Sequence, residues 1–224
     1  MMQSAEIKKY DRELRSSVLF QNLSDDEAEK AFEILCAKFA VYSKGELICR
    51  PYSEMKMFGL VVTGAVQACM DDIDGNRMIM AEVAPGVTFG ESLCFLGIKN
   101  SPVYIYASES AGILWLSHER LFCDEPDALT VQLQRRFTAM LATRTLAMND
   151  RIQVLSKIRL RDKLMTYFSQ LSKRNKARIF NMPMNRNDLA AYLGTDRSAL
   201  SRELSNMKKE GLIDYRGKTV KIIR

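Results

Sequence analysis

Two arginines and two serines between positions 197 and 202 have the side chains and the helical spacing needed to contact DNA bases. Arginine can donate two hydrogen bonds to the O6 and N7 atoms of guanine, and serine is short enough for a helix backbone to approach a base closely. Leu200, Leu204 and Met207 recur at helical spacing on the opposite side. The sequence therefore predicts a helix whose base-contacting residues are Arg197, Ser198, Ser201 and Arg202.

This helix would be the second of two short helices joined by a tight turn. Asn185 and Asp196 each stand where a short side-chain oxygen can cap the start of a helix. Gly194 provides the turn between the helices because glycine adopts positive φ without steric cost, and Gly211 ends the second helix. The pattern predicts a helix-turn-helix.

A short hairpin, which we call the wing, is predicted after the second helix. Residues 212–215 and 219–223 flank the turn Arg216-Gly217-Lys218. The two cations at this turn, Arg216 and Lys218, are suited to contact DNA phosphates. Ser205, on the polar face of the preceding helix, is added to the predicted phosphate contacts.

Net charge is unevenly distributed along the 224 residues. Residues 157–224 contain 17 Lys and Arg against 6 Asp and Glu, a net charge of +11, whereas residues 1–156 contain 16 against 21, a net charge of −5. A basic C-terminal third indicates a polyanionic partner. Double-stranded DNA is favoured over a membrane, since the one tryptophan, Trp115, lies in the acidic part and no run approaches the roughly 18 apolar residues of a membrane span.

The remaining composition argues against catalysis, a metal site and secretion. The five cysteines are widely spaced and His118 is the only histidine, whereas zinc and iron–sulfur sites need several such ligands close together. The chain has no P-loop and no G-x-S-x-G motif, and its N-terminal segment lacks the apolar core of a secretory signal. We therefore expect a cytoplasmic protein without enzymatic activity or a metal, whose cysteines are free thiols.

Short β-like segments separated by turns fill residues 39–116. Asp74-Gly75 favours a tight hairpin, and Pro85-Gly86 marks another turn. Strands this short, without helices between them, predict an antiparallel sandwich or barrel.

A long helix is predicted over residues 127–155, which contain neither glycine nor proline. Its apolar residues form a stripe at spacings of three, four and seven, which is typical of the seam of a two-chain coiled coil. A protein that needs two recognition helices would use this helix to dimerise; the alternative is that the helix packs wholly on its own domain. The stripe consists of Leu133, Phe137, Leu141, Met148, Ile152 and Leu155.

Taken in order, these elements resemble the Crp/Fnr family of transcription regulators, which includes the cyclic-AMP receptor protein. The resemblance begins at Leu19 and rests on the segments Val62-Thr63-Gly64, Asp74-Gly75-Asn76, Phe89-Gly90-Glu91, Gly194-Thr195-Asp196-Arg197, Leu200-Ser201-Arg202, Gly211-Leu212-Ile213 and Gly217-Lys218. It implies an α+β protein: an antiparallel β-roll like a cyclic-nucleotide-binding domain in residues 1–125, a dimerisation helix in residues 126–156, and a winged helix-turn-helix in residues 157–224. It also implies a homodimer on an inverted-repeat DNA operator, with RNA polymerase as a further partner if the protein is an activator.

The resemblance also assigns individual DNA contacts. Arg202 matches the family's principal guanine-reading arginine, and Arg197 matches an arginine that reads base edges in the cyclic-AMP branch. Ser198 stands where the family usually has a glutamate that contacts the amino groups of cytosine or adenine, so we expect a different operator. The family's phosphate-contacting positions are matched by Asn185, Arg186, Arg216 and Lys218.

The effector site departs from the cyclic-nucleotide binders of this family. In those proteins Gly-Glu is followed about ten residues later by Arg-Ser, whose arginine neutralises the cyclic phosphate, but here Gly90-Glu91 is followed by Asn100-Ser101-Pro102. Burying a phosphate without a counter-charge is costly, so we expect an unidentified small-molecule effector other than cyclic AMP. The residues expected to line its pocket are Phe89, Gly90, Glu91, Leu93, Ser101, Tyr104, Tyr106, Met140 and Arg144.

Two alternatives for the regulation stay open. One is a cyclic-nucleotide-responsive regulator of the same fold, and the other is a regulator that senses redox state through a thiol. An iron–sulfur cluster is not expected, because the N-terminal cysteine cluster of the family's oxygen-sensing branch is missing from residues 1–35.

Overall fold

The computed structural model describes residues 10–223, and its chain divides into two compact units between Leu141 and Ala142. The helices are α1 (Asp11–Ser16), α2 (Asp25–Ile34), α3 (Glu91–Phe95), α4 (Ala128–Leu155), α5 (Leu160–Asn175), α6 (Arg186–Leu193) and α7 (Arg197–Lys209), with a short 3-10 helix at Glu119–Phe122. The strands are β1 (Lys38–Tyr42), β2 (Leu47–Cys49), β3 (Phe58–Thr63), β4 (Val66–Asp71), β5 (Arg77–Val83), β6 (Thr88–Phe89), β7 (Tyr104–Ala107), β8 (Ala111–Leu116), β9 (Ile179–Asn181), β10 (Ile213–Arg216) and β11 (Thr219–Ile222). This order confirms the predicted α+β class, with an antiparallel N-terminal domain, a long helix and a C-terminal helix-turn-helix.

The N-terminal unit contains two four-stranded antiparallel sheets that form the β-roll. The first has the order β1-β8-β3-β6 and the second the order β2-β7-β4-β5. Val61 of the first sheet and Ile105 of the second are buried in one apolar cluster between the sheets, which we call the roll interior. The cluster consists of Met55, Val61, Val66, Val83, Phe89, Ile105, Ala107, Ala111 and Ile113.

Strand β3 is buried on both faces, which explains its unbroken apolar sequence. Val61 faces the roll interior, whereas Phe58, Leu60 and Val62 belong to a second core on the outer side of the sheet. Helix α2 contributes Ala31 to this second core, and it begins with the predicted capping box, in which Ser24 and Glu27 each bond the backbone N–H of the other.

Helix α4 is continuous across the division, with residues 128–141 in the first unit and residues 142–155 in the second. Leu133 and Phe137 are fully buried in the outer core of the β-roll, so these members of the predicted stripe pack on their own unit. Met148 and Ile152, in the second half of the stripe, are 61% and 62% exposed. The stripe is thus divided between a buried half and an exposed half, and the pairing of two chains along it stays a prediction.

The C-terminal unit is a small domain with its own core. Helices α5, α6 and α7 pack with a three-stranded antiparallel sheet of order β10-β11-β9, and β10 and β11 form the wing. Phe168 of α5, Leu189 of α6 and Leu204 of α7 meet in one buried cluster, which Val154 from the end of α4 also enters. The two domain boundaries expected from the sequence, after residues 125 and 156, stay predictions.

Candidate nucleic-acid interface

Helix α7 has one buried face and one exposed polar face. Leu200, Leu204 and Met207 are buried, because they fill the core of the C-terminal unit. The structure brings the four predicted base-contacting residues to the opposite side, where all are exposed together with Ser205: Arg197, Ser198, Ser201 and Arg202. A helix of this kind can enter a major groove, since its exposed side chains are cationic or short.

The turn before α7 is built by its capping residues. An Asn185 side-chain oxygen accepts hydrogen bonds from the backbone N–H groups of Asn187 at 2.9 Å and Asp188 at 3.0 Å, which caps α6. Gly194 ends α6 in the left-handed region with φ of 65°. Asp196 Oδ1 then accepts from the Ala199 N–H at 2.8 Å and starts α7. These contacts follow the predicted helix-turn-helix residue by residue.

Arg161 of α5 forms hydrogen bonds to α7 away from the exposed polar face of that helix, which we call the reading face. Its Nε atom donates to Glu203 at 2.7 Å, and its Nη1 and Nη2 atoms donate to the two carboxylate oxygens of Glu210 at 2.6 and 2.8 Å. These hydrogen bonds, the Glu210 pair above all, raise the pKa of Arg161, so the fork stays charged. The sequence did not reveal this contact, because 42 and 49 residues separate the partners.

Three of the predicted phosphate contacts meet at a cleft of about 380 Å³ between the start of α6 and the wing. The cleft is lined by Met182, Met184, Asn185, Arg186, Tyr215, Gly217 and Lys218. The guanidinium of Arg186 is partly buried there, and desolvation lowers its pKa. Its Nη1 atom is buried and has no hydrogen-bond partner among residues 10–223. The exposed Arg216 and Ser205 do not line this cleft.

Comparison with known proteins agrees with this geometry. Residues 158–224 match the family model of the Crp-like helix-turn-helix domain, and residues 39–122 match that of the cyclic nucleotide-binding domain. The transcriptional activator protein FnrA of Stutzerimonas stutzeri is 27% identical over 80% of this chain and 74% of its own length. Electron transport regulator A of Shewanella oneidensis is 24% identical over 90% of this chain and 80% of its own length. The chain belongs to the Crp/Fnr family of transcription regulators.

A solved structure shares the fold of this Crp/Fnr chain. The c-di-GMP-responsive global regulator CLP of Xanthomonas campestris matches 90% of this chain and 100% of its own chain, with a TM-score of 0.53 and 21% identity. At that identity the likeness establishes the fold alone.

The β-roll of Crp/Fnr proteins raises the question of whether a cyclic nucleotide fits here. Gly90 has φ of 77° and starts α3, but a Cβ atom at this position would lie 2.3 Å from the Met55 methyl group. Phe89 fills the adjoining space, since its ring covers Gly59. Glu91 is buried and accepts a short hydrogen bond from the Thr88 hydroxyl. The Met55 methyl group lies on the Cβ side of Gly90, and residues 100–102 contain no arginine to neutralise a cyclic phosphate, so the residues present do not fit that group.

Among the other residues predicted for the effector pocket, Leu93 packs against the cluster that contains Phe89, and Met140 contacts Thr88, the hydrogen-bond partner of Glu91. Ser101 is buried, and its Oγ atom accepts from the Val103 N–H at 3.2 Å. Leu93 packs against the roll interior, and Met140 packs against the outer core, where its sulfur lies 3.4 Å from the Thr88 hydroxyl. Arg144 belongs to the C-terminal unit.

Tyr104 and Tyr106 lie on the opposite side of β7 from Ile105, and thus face away from the roll interior. The Tyr104 hydroxyl donates to Asp71 at 2.7 Å and accepts from Arg77 at 3.1 Å, while Tyr106 bonds Gln67. The structure therefore does not bring these tyrosines together with Phe89. The strict alternation of a strand, applied to the buried Ile105, could have indicated this from the sequence.

An open cleft of about 520 Å³ adjoins the roll interior, because Met55 belongs to that cluster and Trp115 packs against it; no pattern in the sequence indicated this cleft. Its floor is apolar and includes Met55 and Trp115, and its rim carries Arg50 and Lys56. Among the described residues neither cation has an ion-pair partner, whereas Glu54 is paired with Lys99 at 3.6 Å. The lining consists of Ile48, Cys49, Arg50, Ser53, Glu54, Met55, Lys56, Met57 and Trp115.

The cysteines are free thiols in this structure. Burial raises the pKa of Cys49 and of Cys94 to about 11, and the Cys94 sulfur lies 3.2 Å from His118 Nδ1. Within residues 10–223 no group of three or more His, Cys, Asp or Glu side chains is arranged to hold a metal ion. In the same range no helix is both long and apolar enough to span a membrane.

Proposed function

We propose that this Crp/Fnr regulator binds as a homodimer to an inverted-repeat operator, with one α7 helix in each of two successive major grooves. The observation that carries the proposal is the exposed face of α7, on which Arg197 and Arg202 stand beside short serines while the opposite face is buried. Arg202 would donate to guanine O6 and N7, and Arg197 to a base near the start of the helix. Two symmetric half-sites would lie about 34 Å apart.

The exposed half of the α4 stripe supports the dimer. Leu141, Met148 and Leu155 are spaced by seven residues, and Thr145 and Ile152 stand between them, which is an alternating heptad pattern. Exposed apolar residues at such positions gain free energy when a second copy of the helix covers them. The phosphate contacts of each head would come from Arg186 and Lys218 at the cleft beside the wing, with Asn185, Ser205 and Arg216 around it.

Regulation would come from a small-molecule effector other than a cyclic nucleotide. The open cleft of the β-roll favours a ligand with an apolar body and a negative charge, since Trp115 and Met55 form its floor and Arg50 and Lys56 its rim. Such a ligand controls DNA binding only if it binds one arrangement of the dimer better than another. RNA polymerase would be a further partner if the protein activates transcription.

Thiol-based sensing is the less favoured mode of regulation. Sensor cysteines react as thiolates, and a pKa of about 11 keeps Cys49 and Cys94 protonated near neutral pH. Cys123 is exposed and is the thiol most open to oxidants. Peroxide treatment of the wild type and of Cys123→Ser, followed by DNA binding, separates this mode from control by a ligand.

Selection of bound sequences from a random DNA pool tests the proposed function. The full-length protein is expected to enrich an inverted repeat with half-sites about one helical turn apart. A pool that shows no enrichment after repeated rounds, both with the purified folded protein and with the protein in a cell extract that supplies small molecules, would refute sequence-specific DNA binding.

A further inference from the structure

The hydroxyl group of Ser198 has a fixed hydrogen-bond partner on its own chain. Its Oγ atom lies 2.6 Å from Asp196 Oδ1, which also accepts the backbone N–H of Ala199 at 2.8 Å. An ionised carboxylate can only accept hydrogen bonds, so the proton in this contact comes from the serine. The bond to the Ser198 hydroxyl is the largest cause of a lowered pKa for Asp196, which keeps the carboxylate ionised at neutral pH.

This contact decides what Ser198 can offer to DNA. A free serine hydroxyl can donate or accept, and it therefore cannot distinguish a base amino group from a base carbonyl. Once its proton is directed to Asp196, the oxygen has only lone pairs left for a base. Ser198 is exposed on the reading face of α7, two residues after the helix cap, so these lone pairs are accessible.

The other two serines of the face differ in the kind of partner they have. Ser201 and Ser205 donate to the backbone carbonyls of Arg197 and Ser201, at 2.9 and 3.0 Å. These carbonyls are uncharged and also accept backbone N–H groups within the helix. The Asp196 carboxylate is charged and gives Ser198 a shorter, charge-assisted hydrogen bond. The proton of Ser198 is therefore the most strongly directed of the three.

We infer that Asp196 positions the hydroxyl of Ser198 as an acceptor-only contact for an exocyclic amino group, N6 of adenine or N4 of cytosine. This inference rests on the proposed function, since it requires α7 to lie in a major groove. Guanine O6 and thymine O4 are themselves acceptors at the corresponding edge, and they would face the serine lone pairs without a proton between them. The pair Asp196–Ser198 would thus select adenine or cytosine over guanine or thymine at one operator position. In family members with a glutamate at the position of Ser198, the glutamate carboxylate makes this selection.

A double-mutant cycle between Ser198 and the base tests this directly. The operator is first obtained by selection, and the position whose preference changes in Ser198→Ala is identified. Binding is then measured to the natural operator and to one in which that base lacks its amino group, purine for adenine or 2-pyrimidinone for cytosine. Ser198→Ala is expected to weaken binding to the natural operator about five- to tenfold and to the amino-free operator less than twofold, because both changes remove the same hydrogen bond.

The role of Asp196 is tested with Asp196→Ser. Serine is also a good helix cap, so α7 should still start normally, but a hydroxyl can donate and no longer fixes the proton of Ser198. The preference for adenine or cytosine at that position is expected to fall, while the base preferences at the other operator positions should stay unchanged. A merely structural role of Asp196 would weaken all operators alike and would overturn the inference.

The outcomes separate this inference from the proposed function. Absence of any enriched sequence would refute both. An enriched operator whose Ser198-dependent base is guanine or thymine, or equal losses for Ser198→Ala on the natural and the amino-free operator, would refute the inference alone.

Discussion

The guanidinium carbon of Arg186 lies 4.9 Å from the centre of the Tyr215 ring, so strand β10 supports a cation at the start of helix α6. The ring desolvates the arginine and attracts its charge at the same time. The arginine nitrogen Nη1, buried without a partner among the described residues, would gain an acceptor from a DNA phosphate beside it. Arg186 is thus held ready in the place where the proposed function needs a phosphate contact.

The Arg186–Tyr215 contact predicts opposite results for two substitutions of the tyrosine. Tyr215→Leu is expected to cost about 0.5–2 kcal/mol of DNA-binding free energy, because it removes the ring that holds the guanidinium. Tyr215→Phe keeps the ring and should bind DNA like the wild type. Fluorescence anisotropy on the selected operator and on a scrambled one measures both; a loss confined to the selected operator would contradict a phosphate role for Arg186.

Arg202 and Lys218 are expected to affect binding in different ways. Arg202→Ala should lose about 1–3 kcal/mol on the selected operator and relax the base preference at one position of each half-site. Lys218→Ala should weaken all sequences alike and reduce the slope of affinity against salt by about 0.9 per chain. Gel shifts on operator variants over a range of salt concentrations distinguish the two. Unchanged discrimination by Arg202→Ala would exclude this arginine as a base contact.

The exposed part of α4 predicts a matched pair of substitutions for the dimer. Ile152→Lys should weaken dimerisation at least about 100-fold, since burial of one isoleucine is worth about 1.5–3 kcal/mol and a dimer contains two. Leu146→Lys is the control, because Leu146 is equally exposed but lies about 140° around the helix from the centre of the stripe. Sedimentation equilibrium gives the dissociation constants. Dimers that survive Ile152→Lys would place the interface elsewhere.

Cyclic nucleotides are expected not to bind the roll interior. The Met55 methyl group lies on the Cβ side of Gly90, and residues 100–102 contain no arginine that would neutralise a cyclic phosphate. Titration calorimetry with cyclic AMP and cyclic GMP should show no saturable heat up to about 1 mM, a concentration that would reveal binding free energies of about −4 kcal/mol. Saturable micromolar binding would restore the cyclic-nucleotide-responsive alternative.

Asp196 predicts how the stability of α7 depends on pH. Its pKa is lowered from an ordinary value of 3.8 by the Ser198 hydroxyl and the Ala199 N–H, so its contribution is present above that value and is lost as the pH falls through the folded-state pKa. Hydrogen-exchange protection of the first-turn amides of α7 should exceed that of Asp196→Asn at pH 6, and the difference should shrink as the pH falls below 3.8 and through the lowered pKa. A difference that is independent of pH would show that the charge is not involved.

Structure that is determined by neighbouring residues could be predicted from the sequence. Capping oxygens such as those of Asn185 and Asp196 act within three residues, and the apolar spacing of α7 fixes which face is buried. Both features can therefore be recognised without the rest of the fold.

Contacts between residues that are far apart in the sequence could not be predicted. The clamp of Arg161 on Glu203 and Glu210, the ring of Tyr215 under Arg186, and the cleft at Trp115 all join segments that only the folded chain brings together. The first half of the α4 stripe is a related case: an apolar repeat is the same whether the partner is another helix or a sheet of the same chain, and only the structure shows that Leu133 and Phe137 face the sheet.

The missing arginine after Gly90-Glu91 has a consequence for how the protein behaves in a cell. A regulator that encloses a metabolite is stabilised by it, so its melting temperature and its resistance to proteolysis vary with the supply of that metabolite. Here residues 100–102 contain no arginine to hold a cyclic phosphate, so a cyclic nucleotide would supply no such stabilisation. Changes in the cellular cyclic-nucleotide pool should therefore leave both the lifetime and the abundance of this protein unchanged.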